Sequence, residues 1–259
     1  MTGKRRKQNR GRRASGPAAR TSLDARSRSA ALLWRTAPAP KRGPKATLTL
    51  EGIAHAAIEI ADADGLSAVS MSRIAASFGF TTMSLYRYVP GRVELIDYMF
   101  DTAMGAPPEL EQLSGGWRPR IERWARDLWA RVMAHPWALE VLSRLRLPGP
   151  NELAWMESGT RALEESGLSA GARLDSLFLI VGQIRAVAQY AVAVPGASGA
   201  LTTEQWARGV VALLGEHGAE FPALVAATAA GAFAPSDDPL AFGLGRVLDG
   251  IEASAARLR

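Results

Sequence analysis

The sequence predicts an all-α protein of two domains behind a basic tail. Three observations carry that expectation. Apolar residues recur at helical spacing from Thr49 almost to the end, no stretch sustains the period-two alternation of a half-buried strand, and Pro/Gly breaks divide the chain into helix-sized segments. The 259 residues, 47% hydrophobic and 22% charged, suffice for one large or two small cores.

Charge marks the first boundary. Residues 1–50 hold 14 Lys and Arg against the single acid Asp24, a segment charge of +13 within a whole-chain net charge of +6, so residues 51–259 carry −7. Such asymmetry suits a polyanionic partner for the tail, and a solvated tail is the competing reading. Residues 1–46 are rich in Arg, Lys, Ser, Gly and Pro and read as disordered, apart from a short helix around Leu23 to Trp34. Residues 47–105 form one expected domain and residues 106–259 a larger helical one.

In the first of these, Thr49 is a candidate N-cap for a helix that presents Ile53, Ala57, Ile60 and Ala61 and stops at Gly65. Ser70 caps a second, short helix with Met71, Ile74, Ala75 and Phe78 expected inward, and Gly79 supplies the positive φ of a sharp reversal. A third helix covers 82–88, ended by Pro90-Gly91, and a fourth covers Arg92 to Met104 with Val93, Ile96, Met99 and Phe100 in register. Beyond it, Trp117, Ile121, Trp124, Leu128 and Val132 make an apolar seam, and a further helix follows Pro136. Pro150–Gly167, Ala170–Val194, Thr203–His217, Phe221–Ala230 and Pro239–Arg257 complete the series.

Several function classes are excluded or weakened. With no cysteine there is no disulfide, thiolate zinc site or cysteine nucleophile, and a reducing cytoplasm is compatible. His55, His135 and His217 form no metal-ligand pair, Glu164–Glu165 and Asp237–Asp238 are poor acid/base pairs, and Gly243-Leu244-Gly245 follows no strand. No cofactor, metal or catalytic residue is expected. No apolar run spans a bilayer and no apolar stretch follows the basic start, so the expectation is a cytoplasmic protein without a membrane partner.

The constellation with functional content is the pair of short helices around Gly79. The first braces the second, whose outward face can enter the major groove of double-stranded DNA. Thr81, Thr82, Met83 and Ser84 begin that second helix with hydroxyls and a thioether, and Arg87, Tyr88 and Arg92 offer phosphate contacts. Lys45, Ser70 and Arg73 join them as candidate DNA contacts.

At these residues the stretch DGLSAVSMSRIAASFGFTTMSLYRYVPGRVEL resembles the DNA-binding domain of the tetracycline-repressor family, whose pattern is DGLxxxSM followed by xxIAxxLGxxxxSLYxYVxxKxxL. Phe78 replaces the usual Leu and Arg92 the usual Lys. The resemblance implies that Ser72, Thr82 and Met83 face base edges and that Tyr86, Tyr88 and Arg92 grip phosphates. WRPRIERWARDLWARVMAHPWALEVL and FGLGRVLDGIEA look like that family's C-terminal domain, which implies a helical ligand cavity and a homodimer.

Trp124, Trp137 and Trp155, with Leu128, His135, Phe178 and Gln183, are the candidate lining of an effector pocket. The competing reading, to which the helical spacing points first, is that the tryptophans fill a bundle core and His135 caps a helix end. Leu174 and Val181 on one helix, with Leu244, Val247, Leu248 and Ile251 on another, are the candidate dimer faces. Burial within one subunit is the alternative. The expected function is a palindrome-binding repressor, homodimeric and released by a small-molecule effector. Its rivals are a non-specific architectural DNA binder and an all-helical enzyme with a vestigial DNA-binding domain.

Overall fold

The computed structural model describes residues 27–34, 48–191, 201–234 and 236–257, and all regular structure among them is helical. Helix α1 spans 27–33. It is followed by α2 (Leu50–Asp64), α3 (Met71–Ser77), α4 (Thr82–Leu85) and α5 (Arg92–Met104). Then come α6 (Trp117–Ala134), α7 (Ala138–Leu142), α8 (Pro150–Ala162), α9 (Ala170–Ala191), α10 (Thr203–His217), α11 (Pro222–Ala229) and α12 (Ala241–Ala256).

Local chemistry sets these boundaries. The Thr49 hydroxyl accepts from the Gly52 amide at 3.0 Å and that of Ser70 from the Arg73 amide at 3.2 Å, so each satisfies an orphan donor at a helix start. Thr202 and Gln205 form a reciprocal capping box at α10. Pro150 and Pro222 stand in first turns, where a missing N–H costs nothing. Gly65 (φ 82°) ends α2 and Gly79 (φ 68°) turns the chain between α3 and α4, a backbone region that side chains with a Cβ avoid.

Helices α2 to α5 share a core of Ile53, Ala57, Ile74, Leu85, Leu95 and Met99. Two expectations fail here. Phe78 is 38% and Val93 48% exposed, because each lies at the end of its helix, where the face turns away from the three-helix core. Helix α4 is one turn, shorter than the expected 82–88.

Helix α5 joins the two halves: it packs on α2 on one side and on α7 and α8 on the other. At its far end Asp101 accepts from the amides of Glu152 (3.0 Å) and Asn151 (3.3 Å), and so caps α8 from another element. Burial raises the Asp101 pKa above the ordinary carboxylate value, opposed by those amides and Arg146. Helices α6, α8, α9 and α12 pack as the larger core. The short helix expected around Leu23 to Trp34 is present as α1, and it docks on the body: Leu32 and Leu33 are buried, Arg28 Nε lies 2.8 Å from Glu94, and the Trp34 indole donates to the Pro148 carbonyl at 3.1 Å. Lys45 lies outside the described residues.

Candidate functional site

Helix α4 presents its outer face without cover. Met83 is 74% exposed, and Thr81, Tyr86 and Arg87 are also exposed; Thr82, Ser84 and Tyr88 are half-buried, and Leu85 is the buried anchor. The Thr81 and Ser84 hydroxyls lie 3.1 Å apart and order the helix start. On α3, Ser72 is exposed and its hydroxyl is 3.2 Å from that of Ser70, while Arg73 pairs with Asp64. Of the candidates for DNA contact, Ser70 is thus occupied as a cap and Arg73 as an ion-pair partner. Arg92 donates from Nε to the Val69 carbonyl (2.8 Å) and from Nη2 to that of Leu66 (2.6 Å). A fork so engaged fixes the turn before α3, where the Leu66 carbonyl also accepts from the Val69 amide at 3.2 Å.

The second feature is an apolar cavity of about 110 Å³ between α5, α6, α8 and α9. Trp124, Leu128, Trp155 and Phe178 line it, as do Phe100 and Met104 of α5. The two indoles meet edge-to-face with centroids 5.7 Å apart, and both N–H groups are satisfied: Trp124 donates to the Trp155 carbonyl at 2.9 Å and Trp155 to that of Gly105 at 2.9 Å. The rings therefore offer the cavity only carbon surface. Glu152 is the single acid in the wall, and Arg146 Nη1 lies 2.8 Å from its carboxylate while stacking 4.2 Å from the Phe100 ring centre. Burial raises the Glu152 pKa, against the lowering effect of Arg146.

Three pocket candidates are elsewhere. His135 and Trp137 turn toward α2, where the Asp62 carboxylate meets His135 Nδ1 at 2.9 Å and accepts from Trp137 Nε1 at 2.6 Å. Gln183 packs against Gly243 of α12, so close that a Cβ there would collide with its amide. Clustering in sequence does not say which neighbour a side chain meets.

The dimer candidates need a similar correction. Leu244, Leu248 and Ile251 are buried in their own subunit, and Val247 is half-buried against the same core, because this face of α12 packs on α9. Leu174 and Val181 border the cavity. The uncovered surface is the opposite one: Leu179 (62% exposed) and Phe242 (80%), with Gly182, Gly245 and Gly250 open outward. Helix α10 buries only Leu214 and leaves Trp206, Val211 and Leu213 exposed.

The model of the tetracyclin repressor-like C-terminal domain matches residues 107–255, more than half of the sequence. The chain belongs to the tetracycline-repressor family. It is 37% identical over 234 residues to the HTH-type transcriptional repressor DrrR1 of Streptomyces coeruleorubidus, covering 88% of this chain and 86% of the relative. Apo ActR from Streptomyces coelicolor superimposes with a TM-score of 0.69 at 27% identity, over 83% of this chain and 100% of ActR. ActR in complex with actinorhodin gives 0.68 at 30% identity, over 81% and 99%. The resemblance read from the sequence therefore holds, and with it the all-α class with a helix-turn-helix N-terminal domain. As a tetracycline-repressor family member, the chain belongs among regulators of transcription. Among its described residues no helix is long and apolar enough to cross a membrane.

The polar residues that sequence reasoning missed are Asp62, Glu94, Asp101, Arg146 and Glu152. Asp97 and Asp101 did carry a signal: acidic residues on the buried side of an amphipathic helix such as α5 must have partners.

Proposed function

We propose that this protein is a ligand-responsive transcriptional repressor that binds a palindromic operator as a homodimer and leaves it when an aromatic, polycyclic effector enters the α5–α6–α8–α9 cavity. Residues 47–105 are the DNA-binding domain and residues 106–259 the effector-binding and dimerisation domain. One observation carries the reading: Phe100 and Met104, which wall the cavity, stand on α5, the same helix whose first residue Arg92 holds the turn leading into α3. The cavity and the reading head share one rigid element.

The cavity, about 110 Å³, is smaller than the ~300–1,000 Å³ of sites for drug-sized ligands. A ligand with several rings must push α5, α8 and α9 apart to enter. The exposed Phe178 stands at the mouth. ActR's complex with actinorhodin supports the choice of a planar polycyclic effector, and DrrR1's name supports repression.

In the DNA complex Ser72, Thr82 and Met83 face base edges and Tyr86, Arg87 and Tyr88 hold phosphates. A single short helix reads about three or four base pairs, so two copies about one helical turn apart are needed for an address. The uncovered faces of α9 and α12, with Leu179, Phe242 and outward glycines that permit close approach, supply the four-helix contact.

Selection from random duplex DNA tests the reading, followed by titration of the selected complex with actinorhodin. A two-fold symmetric site and release by the ligand are expected. Binding without sequence enrichment would favour an architectural protein, and chemical conversion of the ligand an enzyme.

A further inference from the structure

We propose that α1 adds a DNA-backbone contact to the reading head: the cleft between α1 and the end of the recognition segment holds a phosphate flanking each half-site, gripped by Arg28 and Arg87. This rests on the DNA-binding reading above and extends it to a helix outside the helix-turn-helix. The cleft has a volume of about 290 Å³ and is lined by Arg28, Ala31 and Leu32 on one side and Tyr86, Arg87, Tyr88 and Pro90 on the other. Two guanidinium groups and two phenols facing one open cleft make a phosphate-binding set: forked donors for charge, hydroxyls for the remaining oxygens.

The contact is built on a fixed support. Leu32 and Leu33 are 3% and 5% exposed, so α1 is seated by apolar burial. Trp34 ties its end to the Pro148 carbonyl at 3.1 Å, and Arg28 Nε meets Glu94 at 2.8 Å. That last pair is asymmetric. Glu94 has only 4% of its side chain exposed, whereas Arg28 has 51%. The Nε edge satisfies a buried carboxylate and sets the guanidinium's direction, while the rest of the group borders the cleft. A solvated pair formed only for stability contributes little; here one partner lines an open basic cleft beside the exposed Tyr86. The sequence that precedes α1 is itself basic, with nine Lys and Arg against one Asp in residues 1–26.

The test uses the full chain and the operator selected from random DNA. Arg28→Gln should weaken binding about 5- to 10-fold at 50 mM salt. One lost phosphate contact lowers the salt slope by about 0.9, so the gap to wild type should shrink about 3- to 4-fold by 200 mM. Arg28→Lys should restore the slope. Glu94→Gln, which breaks the same ion pair but leaves the cation, should bind as well as wild type or more tightly. Phosphate ethylation should interfere at one position flanking each half-site with wild type and cease to do so with Arg28→Gln. An unchanged affinity and slope for Arg28→Gln overturns the proposal, as does a Glu94→Gln variant weakened equally, since the pair would then act only by holding α1. If the wild type enriches no sequence, the proposed function itself falls and this contact with it.

Discussion

Substitution of Asp62 tests the link between the two halves of the molecule. Its carboxylate meets His135 Nδ1 at 2.9 and 3.2 Å and accepts from Trp137 Nε1 at 2.6 Å, joining the last turn of α2 to the junction of α6 and α7. In Asp62→Ala the Trp137 indole, 1% exposed, loses its acceptor in a place water reaches poorly. A hydrogen bond to a charged group contributes about 1.5–3 kcal/mol and a stranded buried donor costs about 1–3 kcal/mol. Asp62 itself is 33% exposed, which screens the charge, so the combined loss should be near about 1.5–3 kcal/mol. At about 2–4 °C per kcal/mol for a chain of this size, Tm should fall by roughly 3–12 °C in thermal unfolding followed by circular dichroism. Asp62→Asn keeps one acceptor and should lose less than half as much. An Asp62→Ala variant melting within a degree of wild type would refute the assignment. Effector titration gives a second readout: the variant should bind effector normally but release operator incompletely, and full release at wild-type concentrations would show that α2 needs no such strut.

Arg92→Ala should weaken operator binding about tenfold through the loosened turn at Leu66–Val69 while leaving the salt slope unchanged; a slope reduced by about one would place Arg92 on phosphate instead. Phe178→Ala removes a ring that is already 57% exposed, so stability should change by less than about 0.5 kcal/mol, whereas actinorhodin affinity by tryptophan quenching should drop about 5- to 30-fold. Equal affinity would move the ligand away from this mouth. For Glu152 the folded pKa is raised, so the folded state binds the proton more tightly than the unfolded chain. The stabilisation relative to Glu152→Gln is therefore largest below the ordinary value near 4.5 and declines as pH rises through the raised pKa. Denaturant titrations of both proteins from acid to neutral pH should show that difference shrinking, and a difference that grows with pH would contradict burial as the dominant cause.

Much of this architecture was legible because its signals are local. Thr49 and Thr202 cap the helices expected to begin beside them, Pro150 and Pro222 stand in first turns, and Gly65 and Gly79 turn where positive φ is needed. What the sequence could not resolve is which surface an apolar stripe meets. Leu244, Leu248 and Ile251 form as good a dimer face as a core face until α9 is seen against them. The surface proposed here to face the partner was harder still to find, because Gly182, Gly245 and Gly250 carry no hydrophobic signal, although each has open space where a side chain would stand. His135 and Trp137 were placed correctly near a helix junction, but their partner Asp62 is more than 70 residues away and shares no motif with them. Helix α1 was legible as a short helix around Leu23 to Trp34, but its seat on the body was not, because its partners Glu94 and Pro148 lie 66 and 114 residues further along the chain.

On the proposed function, these placements give a small cavity a route to a distant reading head. Allosteric coupling of about 1–3 kcal/mol suffices for a 5- to 150-fold change in affinity. Each 100 Å² of apolar ligand surface removed from water supplies roughly 2.5 kcal/mol, so a multi-ring effector has enough to widen the cavity and still bind. The energy must then be used on elements that reach the DNA-binding half. Two do so. Helix α5 carries Phe100 and Met104 in the wall and Arg92 at the turn, and α6 carries Trp124, Leu128 and Val132 in the wall and ends at His135, hydrogen-bonded to Asp62 on α2. On the proposed function, a ligand that parts α5 from α6 moves two supports of one three-helix unit by different amounts. A packed core does not shear to absorb such a difference, so the unit turns as a body and the spacing between the two recognition helices of a dimer changes.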